Sequence, residues 1–370
     1  MTATRGLEGV VAAQSSVCSI IDGVLSYAGI NVDELAEHAT FEEVIYLLWH
    51  GALPKRDQLD TLKKELAANA AVPKEVIDSI RSYPNGVHPM AALRTAVSSL
   101  ALYDEEAQDM SKEANYRKSI RLVAQTPTIV AAFARIRKGL EPVAPNPDYT
   151  LAQNFLYMLT GKEPTETATK AFDIALILHA DHEFNASTFA ARVSVATLTD
   201  IYSGVVSAIG TLKGPLHGGA NEQVAAMLEE IGSLENVEPY IRRALNNKEK
   251  IMGFGHRVYK DGDPRAKWLR KMSKELTAQI GRAELYEMSA KIENMVTGEK
   301  GLKPNVDFYS ASVYMSLGLE TDLYTPIFAI SRMSGWTAHI MEQYENNRLI
   351  RPRADYTGPV NKHYVPIELR

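Results

Sequence analysis

Cysteine is almost absent: Cys18 is the only one in 370 residues. An internal disulfide framework and a multi-cysteine metal site are thereby excluded, and a reducing compartment is expected. Long apolar runs are missing too. No stretch reaches the ~18 apolar residues of a membrane-spanning helix. The longest candidates are broken by Glu, Asp, Arg or His. The opening residues, Met1 to Gly6, lack the basic-then-apolar pattern of a secretory leader. Neither sign of charge dominates, with 40 basic residues against 45 acidic and a net charge of -5. That balance gives no support for nucleic-acid binding, but a local cluster of arginines can still hold an anionic substrate. A cytoplasmic protein is the expectation.

Apolar residues make up 45% of the chain, enough for a sizeable core and too many for disorder. The length exceeds what one core usually supports, so two domains are expected. Helical periodicity dominates. Thr40 and Glu43 have capping-box spacing, with Phe41, Val44, Ile45 and Leu48 on one face and Gly51 beyond the end. Pro73 opens a short helix, and His88-Pro89-Met90 marks the next turn. Residues 120–137 read as a buried helix that Pro127 should kink or interrupt. Pro142, Pro145 and Pro147 make a linker. A long helix is predicted from about Glu166 through His179. The stretch 193–209 is apolar and rich in small residues, broken by Gly204 and Gly210. After His217 charged amphipathic helices take over, and an apolar helix returns over 323–344. The tail around Arg348-Leu349-Ile350-Arg351-Pro352-Arg353 reads as basic and irregular. The fold class is therefore mainly α, with at most a small ribbon near either end. Residues 219–318 form a smaller domain, and 1–218 with 319–370 form the larger one.

Three loop-like stretches each carry one ionisable side chain. In Gly214-Pro215-Leu216-His217-Gly218-Gly219-Ala220-Asn221, glycines allow a tight turn that holds His217 at a helix start. There a neutral imidazole can donate to an enol or carbonyl oxygen, the helix end depressing its pKa; the plainer reading is a turn histidine that caps a helix. In Gly253-Phe254-Gly255-His256-Arg257 the third glycine of a dinucleotide loop is missing. His256 with Arg257, Lys260 and Arg265 suits a polyanion, or is a solvated basic turn. Asp307, in Pro304-Asn305-Val306-Asp307-Phe308, has apolar neighbours that favour a raised pKa and a general base; alternatively it caps the helix starting near Phe308. His179, His182, Glu183 and Ala186 share one helical face by spacing. Glu183 follows the second histidine, so the helical metal motif fails and ligand contact or a buried network is favoured. Arg332 interrupts an apolar run and must be paired or face a ligand. Arg351 and Arg353 are further candidates, since the guanidinium fork fits carboxylates and a tail can reach into a partner's cleft.

The run Gly253-Phe254-Gly255-His256-Arg257-Val258-Tyr259-Lys260-Asp261-Gly262-Asp263-Pro264-Arg265 resembles the signature of the citrate synthase family. Pro215-Leu216-His217-Gly218-Gly219-Ala220-Asn221 and Pro304-Asn305-Val306-Asp307-Phe308-Tyr309 resemble its other blocks, in the family's order. The resemblance covers essentially the whole chain and is to the short bacterial and archaeal form. It implies a mostly helical homodimer whose small domain closes over a cleft. It implies citrate (Si)-synthase activity, in which acetyl-CoA condenses with oxaloacetate to give citrate and free CoA, a step of the tricarboxylic acid cycle. By motif position Asp307 resembles the base, His217 the residue that stabilises the enolate oxygen, and His256 the one that polarises the oxaloacetate carbonyl. His182, Arg265 and Arg332 resemble the dicarboxylate ligands, and Arg351 the one supplied by the other subunit. Arg257 and Lys260 are candidates for coenzyme A contacts. No metal and no tightly bound cofactor is implied, the CoA thioester being a substrate.

The chemistry agrees with the residues. A thioester α proton is weakly acidic, so its removal needs a placed base and stabilisation of the oxygen that gains charge. The nearest rival is 2-methylcitrate synthase, which would use propionyl-CoA through the same residues; one methylene changes discrimination by only about 1–3 kcal/mol. A non-enzymatic sensor or scaffold on the same fold is disfavoured by the intact His217, His256 and Asp307. Allosteric control and assembly beyond a dimer are left open.

Overall fold

The structure, a computed structural model, describes residues 5–7, 9–256, 259 and 261–370. Among the described residues the chain forms three short strands and sixteen α-helices. The strands β1 (Cys18–Ile21), β2 (Val24–Tyr27) and β3 (Ile30–Asn31) make one antiparallel sheet in that order. Two-residue turns at Asp22-Gly23 and Ala28-Gly29 set its register, pairing Ile21 with Val24 and Tyr27 with Ile30. The first eight helices are α1 (Val32–His38), α2 (Phe41–His50), α3 (Arg56–Ala68), α4 (Lys74–Arg81), α5 (Pro89–Leu100), α6 (Lys112–Ile136), α7 (Leu151–Thr160) and α8 (Glu166–His179). They are followed by α9 (Ala186–Val195), α10 (Ile201–Leu212), α11 (Ala220–Ile231), α12 (Val237–Asn246), α13 (Ala266–Gln279), α14 (Ala283–Lys300), α15 (Val306–Ser316) and α16 (Tyr324–Glu345). The expected mainly helical chain with a small ribbon near one end is what the structure has. None of the described helices is long and apolar enough to cross a membrane.

Local chemistry explains many of the boundaries. Thr40 and Glu43 close a reciprocal capping box on α2, and Gly51 ends it in the left-handed region. Two expectations change. α6 runs unbroken through Pro127, with nearly all of residues 114–134 buried. Packing on every side holds the turn that a proline would open in an exposed helix. Gly204 and Gly210 do not interrupt a helix; they lie inside α10, and the break falls between Val195 and Ile201. At Gly204 a Cβ would sit 2.4 Å from Val195 Cγ1. The missing side chain lets α10 press directly against α9.

α16 is the axis of the larger body. It is buried on all sides, as a central core helix must be, and packs on α2, α6, α8, α9 and α10. Helices α11 to α15 pack chiefly on one another, and they meet the rest through α8 and α16. The cleft opens where these two groups meet.

Candidate active site

The loop holding His256 and the helix holding Asp307 are joined by a short ladder. Gly255 N donates to Lys303 O at 2.9 Å, and Asn305 N donates to Gly253 O at 2.9 Å. Asn305 Nδ2 adds a bond to Gly255 O at 3.0 Å. The ladder requires close approach. Gly253 has φ of 82°, and a Cβ there would lie 2.9 Å from both Phe308 and Val224. Asn305 also caps α15 by accepting from Asp307 N. The cap is therefore Asn305, and the Asp307 carboxylate is released from that duty. Among the described residues it has no hydrogen-bond partner. Burial raises its pKa to about 7, with Asp263 adding to the rise and Arg265 and Arg332 opposing it.

Asp263 ties this ladder to Arg265. Its Oδ1 accepts from Arg265 Nε at 2.9 Å and its Oδ2 from Arg265 Nη2 at 2.8 Å. Oδ2 also accepts from Val306 N, the first residue of α15, at 3.0 Å. Burial opposes the charge on Asp263, but Arg265 outweighs it and holds the carboxylate below its usual range. One buried carboxylate thus orients a cation and anchors the helix that carries Asp307. Beside it, the rings of His182 and His256 meet edge to face at 5.2 Å, and His182 Nε2 lies 3.0 Å from Tyr259 Oη. Burial lowers the pKa of both histidines, and Arg265 pushes in the same direction.

His217 sits just before α11, as its glycines imply, but its ring is held by a different helix. Nε2 lies 2.9 Å from Ser187 Oγ and accepts from Ser187 N at 3.3 Å. Ser187 belongs to the first turn of α9, whose backbone N–H groups are free to bond outward. An acceptor role for Nε2 leaves the proton of the neutral ring on Nδ1. Burial lowers the pKa to about 4, and Arg332 adds to the fall. Arg332, on α16, is itself buried. Its Nε donates to His179 O at 2.8 Å and its guanidinium lies over Phe328, yet Nη1 has no partner. Among the described residues no carboxylate pairs with it.

His182, His217, His256, Arg265, Asp307 and Arg332 all line one cleft of about 730 Å³. The helical face proposed for His179, His182 and Glu183 does not exist. α8 ends at His179, and Glu183 has φ of 49° in the following turn, because Asn185 bonds back to the carbonyls of His182 and Glu183. His179 faces the core instead, against Ala175 O and Phe328. Among the described residues no group of three or more His, Cys, Asp or Glu side chains is placed to hold a metal. Arg351 lies apart from this cleft, exposed on a neighbouring groove with Phe189 and Glu342. Arg257 and Lys260 lie outside the described residues. Sequence reasoning missed Asp263, Tyr259 and Ser187 as parts of the site. Asp263 and Tyr259 stood inside the signature run, but Ser187 carried no local signal.

A helical two-domain fold that gathers a poised carboxylate, neutral imidazoles and two guanidinium groups in one cleft defines an enzyme for acid–base chemistry on an anionic carbon substrate. The chain matches the family model described as "Citrate synthase, C-terminal domain" over residues 6–353, and it belongs to the citrate synthase family. It is 67% identical to citrate synthase 2 of Bacillus subtilis over the full length of both chains. It is 42% identical to 2-methylcitrate synthase 1 of Corynebacterium glutamicum, covering 99% of this chain and 98% of that one. Among solved structures it resembles citrate synthase of Thermoplasma acidophilum in ternary complex with carboxymethyl coenzyme A and oxaloacetate, with a TM-score of 0.92, 36% identity and 98% of each chain covered.

Proposed function

We propose that this enzyme is a citrate synthase, which condenses acetyl-CoA with oxaloacetate and hydrolyses the resulting thioester to citrate and CoA. The observation that carries this reading is the pairing of Asp307 and His217 across one cleft. Asp307 has a pKa near neutrality and, among the described residues, a carboxylate free of partners, the properties of a general base at physiological pH. His217, neutral and with Nδ1–H unused by Ser187, suits the oxygen of the enolate that forms as Asp307 takes a methyl proton. His256 then donates to the oxaloacetate carbonyl as the nucleophilic carbon attacks it, and the new alkoxide takes up that proton. His182, Arg265 and Arg332 hold the dicarboxylate. The unpartnered Nη1 of Arg332 supports this role, since a buried guanidinium without a carboxylate is costly until an anion arrives. Water finally attacks the citryl thioester, with CoA thiol as leaving group.

The remaining assignments belong to the same reading. Residues 219–318 form the small domain, which closes on the remainder and excludes water during the enolate stage. Two copies make a homodimer in which Arg351 reaches the partner's site. The tail supports this, because Leu349, Tyr356, Tyr364, Ile367 and Leu369 are all left exposed on the single chain. Arg257 and Lys260 contact coenzyme A, no cofactor is tightly bound, and the enzyme works in the cytoplasm. The deciding experiment is oxaloacetate-dependent release of CoA thiol, comparing acetyl-CoA with propionyl-CoA. A higher kcat/KM for acetyl-CoA is expected. A preference for propionyl-CoA would make the enzyme a 2-methylcitrate synthase, and no release with either thioester would overturn the reading.

A further inference from the structure

Three positions on one face of α16 meet three consecutive residues at the C-terminal end of α8, His179 to Asp181. Arg332 Nε donates to His179 O at 2.8 Å. One turn on, Gly335 lies so close to the segment that a Cβ would sit 2.4 Å from Ala180 O and 2.5 Å from Asp181 Oδ1. One further turn on, His339 Nε2 lies 2.9 Å from Asp181 Oδ2. The spacing 332, 335, 339 is that of a single helical face. The next residue of the facing segment, His182, enters the cleft.

The hydrogen bonds of His339 have a fixed direction. Arg192 Nη1 lies 3.1 Å from His339 Nδ1, and a guanidinium only donates, so Nδ1 accepts and Nε2–H donates to Asp181. Arg192 is held in turn by Glu342 Oε2 at 2.6 Å, and Glu342 Oε1 accepts from Ser16 N at 2.7 Å. His339 and Asp181 are both fully buried. None of these residues touches substrate in the proposed reaction, yet a charged network so deep in the core is costly to keep.

We propose that Gly335 and His339 are positioning residues that set the register between α16 and the residue 179–182 segment, and so fix Arg332 and His182 at the separation that oxaloacetate requires. The two proposed dicarboxylate ligands stand on separate elements, and no covalent or direct side-chain link joins them. The close contact at Gly335 sets how near the elements come, and the His339–Asp181 bond sets how far one slides along the other. This inference rests on the reading of the cleft as an oxaloacetate site.

The test measures oxaloacetate Kd by calorimetry, and KM and kcat for both substrates, in His339→Ala, His339→Gln and Gly335→Ala. A misplacement near 1 Å costs about 100-fold at such sites, so His339→Ala and Gly335→Ala should raise Kd and KM for oxaloacetate by about 10-fold or more. The acetyl-CoA KM should move far less. His339→Gln, whose amide N–H reaches the place of Nε2, should recover most of the loss. Unchanged oxaloacetate Kd in folded His339→Ala and Gly335→Ala, or a loss shared equally by both substrates, overturns the proposal. If the wild-type protein binds oxaloacetate but releases no CoA thiol, the functional reading fails while the Kd comparison still decides the register.

Discussion

Burial that raises the pKa of Asp307 also works against the fold. Its folded pKa of about 7 lies well above the unfolded value of about 3.9, so the native state holds the proton more tightly. The sign follows: stability from this residue is present below the unfolded pKa and is lost as pH rises toward 7. Asp307→Asn removes that cost. The variant is expected to lose turnover and yet be more stable than wild type at pH 8, on the order of a few kcal/mol, in denaturant melts. Equal stability at pH 8 would contradict the buried-carboxylate account. A general base must be ionised, so with Asp307 in the proposed role kcat/KM should fall about tenfold per pH unit below an acid limb near pH 7. A limb near pH 4 would mean that Asp307 is solvated. The chemical character of these residues was legible in the sequence, because Val306, Phe308 and Tyr309 surround the carboxylate. That Asp307 is free of capping was not, since Asn305 and Asp307 are both competent caps and only backbone geometry chooses between them.

Elements place these residues, and Asp263 is the joint between two of them. It fastens Arg265 and the first N–H of α15 at once. Asp263→Asn keeps the size of the side chain but leaves a buried guanidinium without its counter-charge. Removing one partner of a buried pair costs about 3–5 kcal/mol, so a lower Tm is expected together with a sharp rise in KM for oxaloacetate. A variant with unchanged Tm and KM would show that Arg265 is oriented by something else. Helix limits set by caps, such as Thr40 with Glu43 or the α8 limits Glu166 and His179, could be read from residues a few positions apart. Pro127 and Gly204 could not. Local propensity breaks a helix at each, and burial against neighbours distant in sequence overrides it. The same limit hid the partner of His217. The helix that follows it was visible, but the residue that holds its ring, Ser187, stands thirty positions earlier on another helix.

In the proposed homodimer, a second copy would add what one chain lacks. Arg351 is exposed and away from the cleft of its own chain, so its proposed role can be exercised only in trans. Asp307→Ala and Arg351→Ala homodimers should both be nearly inactive. Co-expressed, they should form hybrids with one intact site, and activity should recover to roughly a quarter of wild type at statistical mixing. No recovery would place Arg351 outside the partner's site. Overall charge and the single cysteine had already removed whole classes of function at this scale, because they depend on composition alone.

The sequence by itself determined the helical class, the family, and which side chains are candidates for the chemistry, because periodicity, caps and short motifs act over a few residues. Only the tertiary structure decided that the 253–256 loop and the 303–305 segment form one ladder, that α9 holds His217, and that α16 meets residues 179–181. These contacts join residues from 30 to 158 positions apart. Their partners are selected by packing and by the need to satisfy buried polar groups, and neither leaves a mark at either end of the contact taken alone.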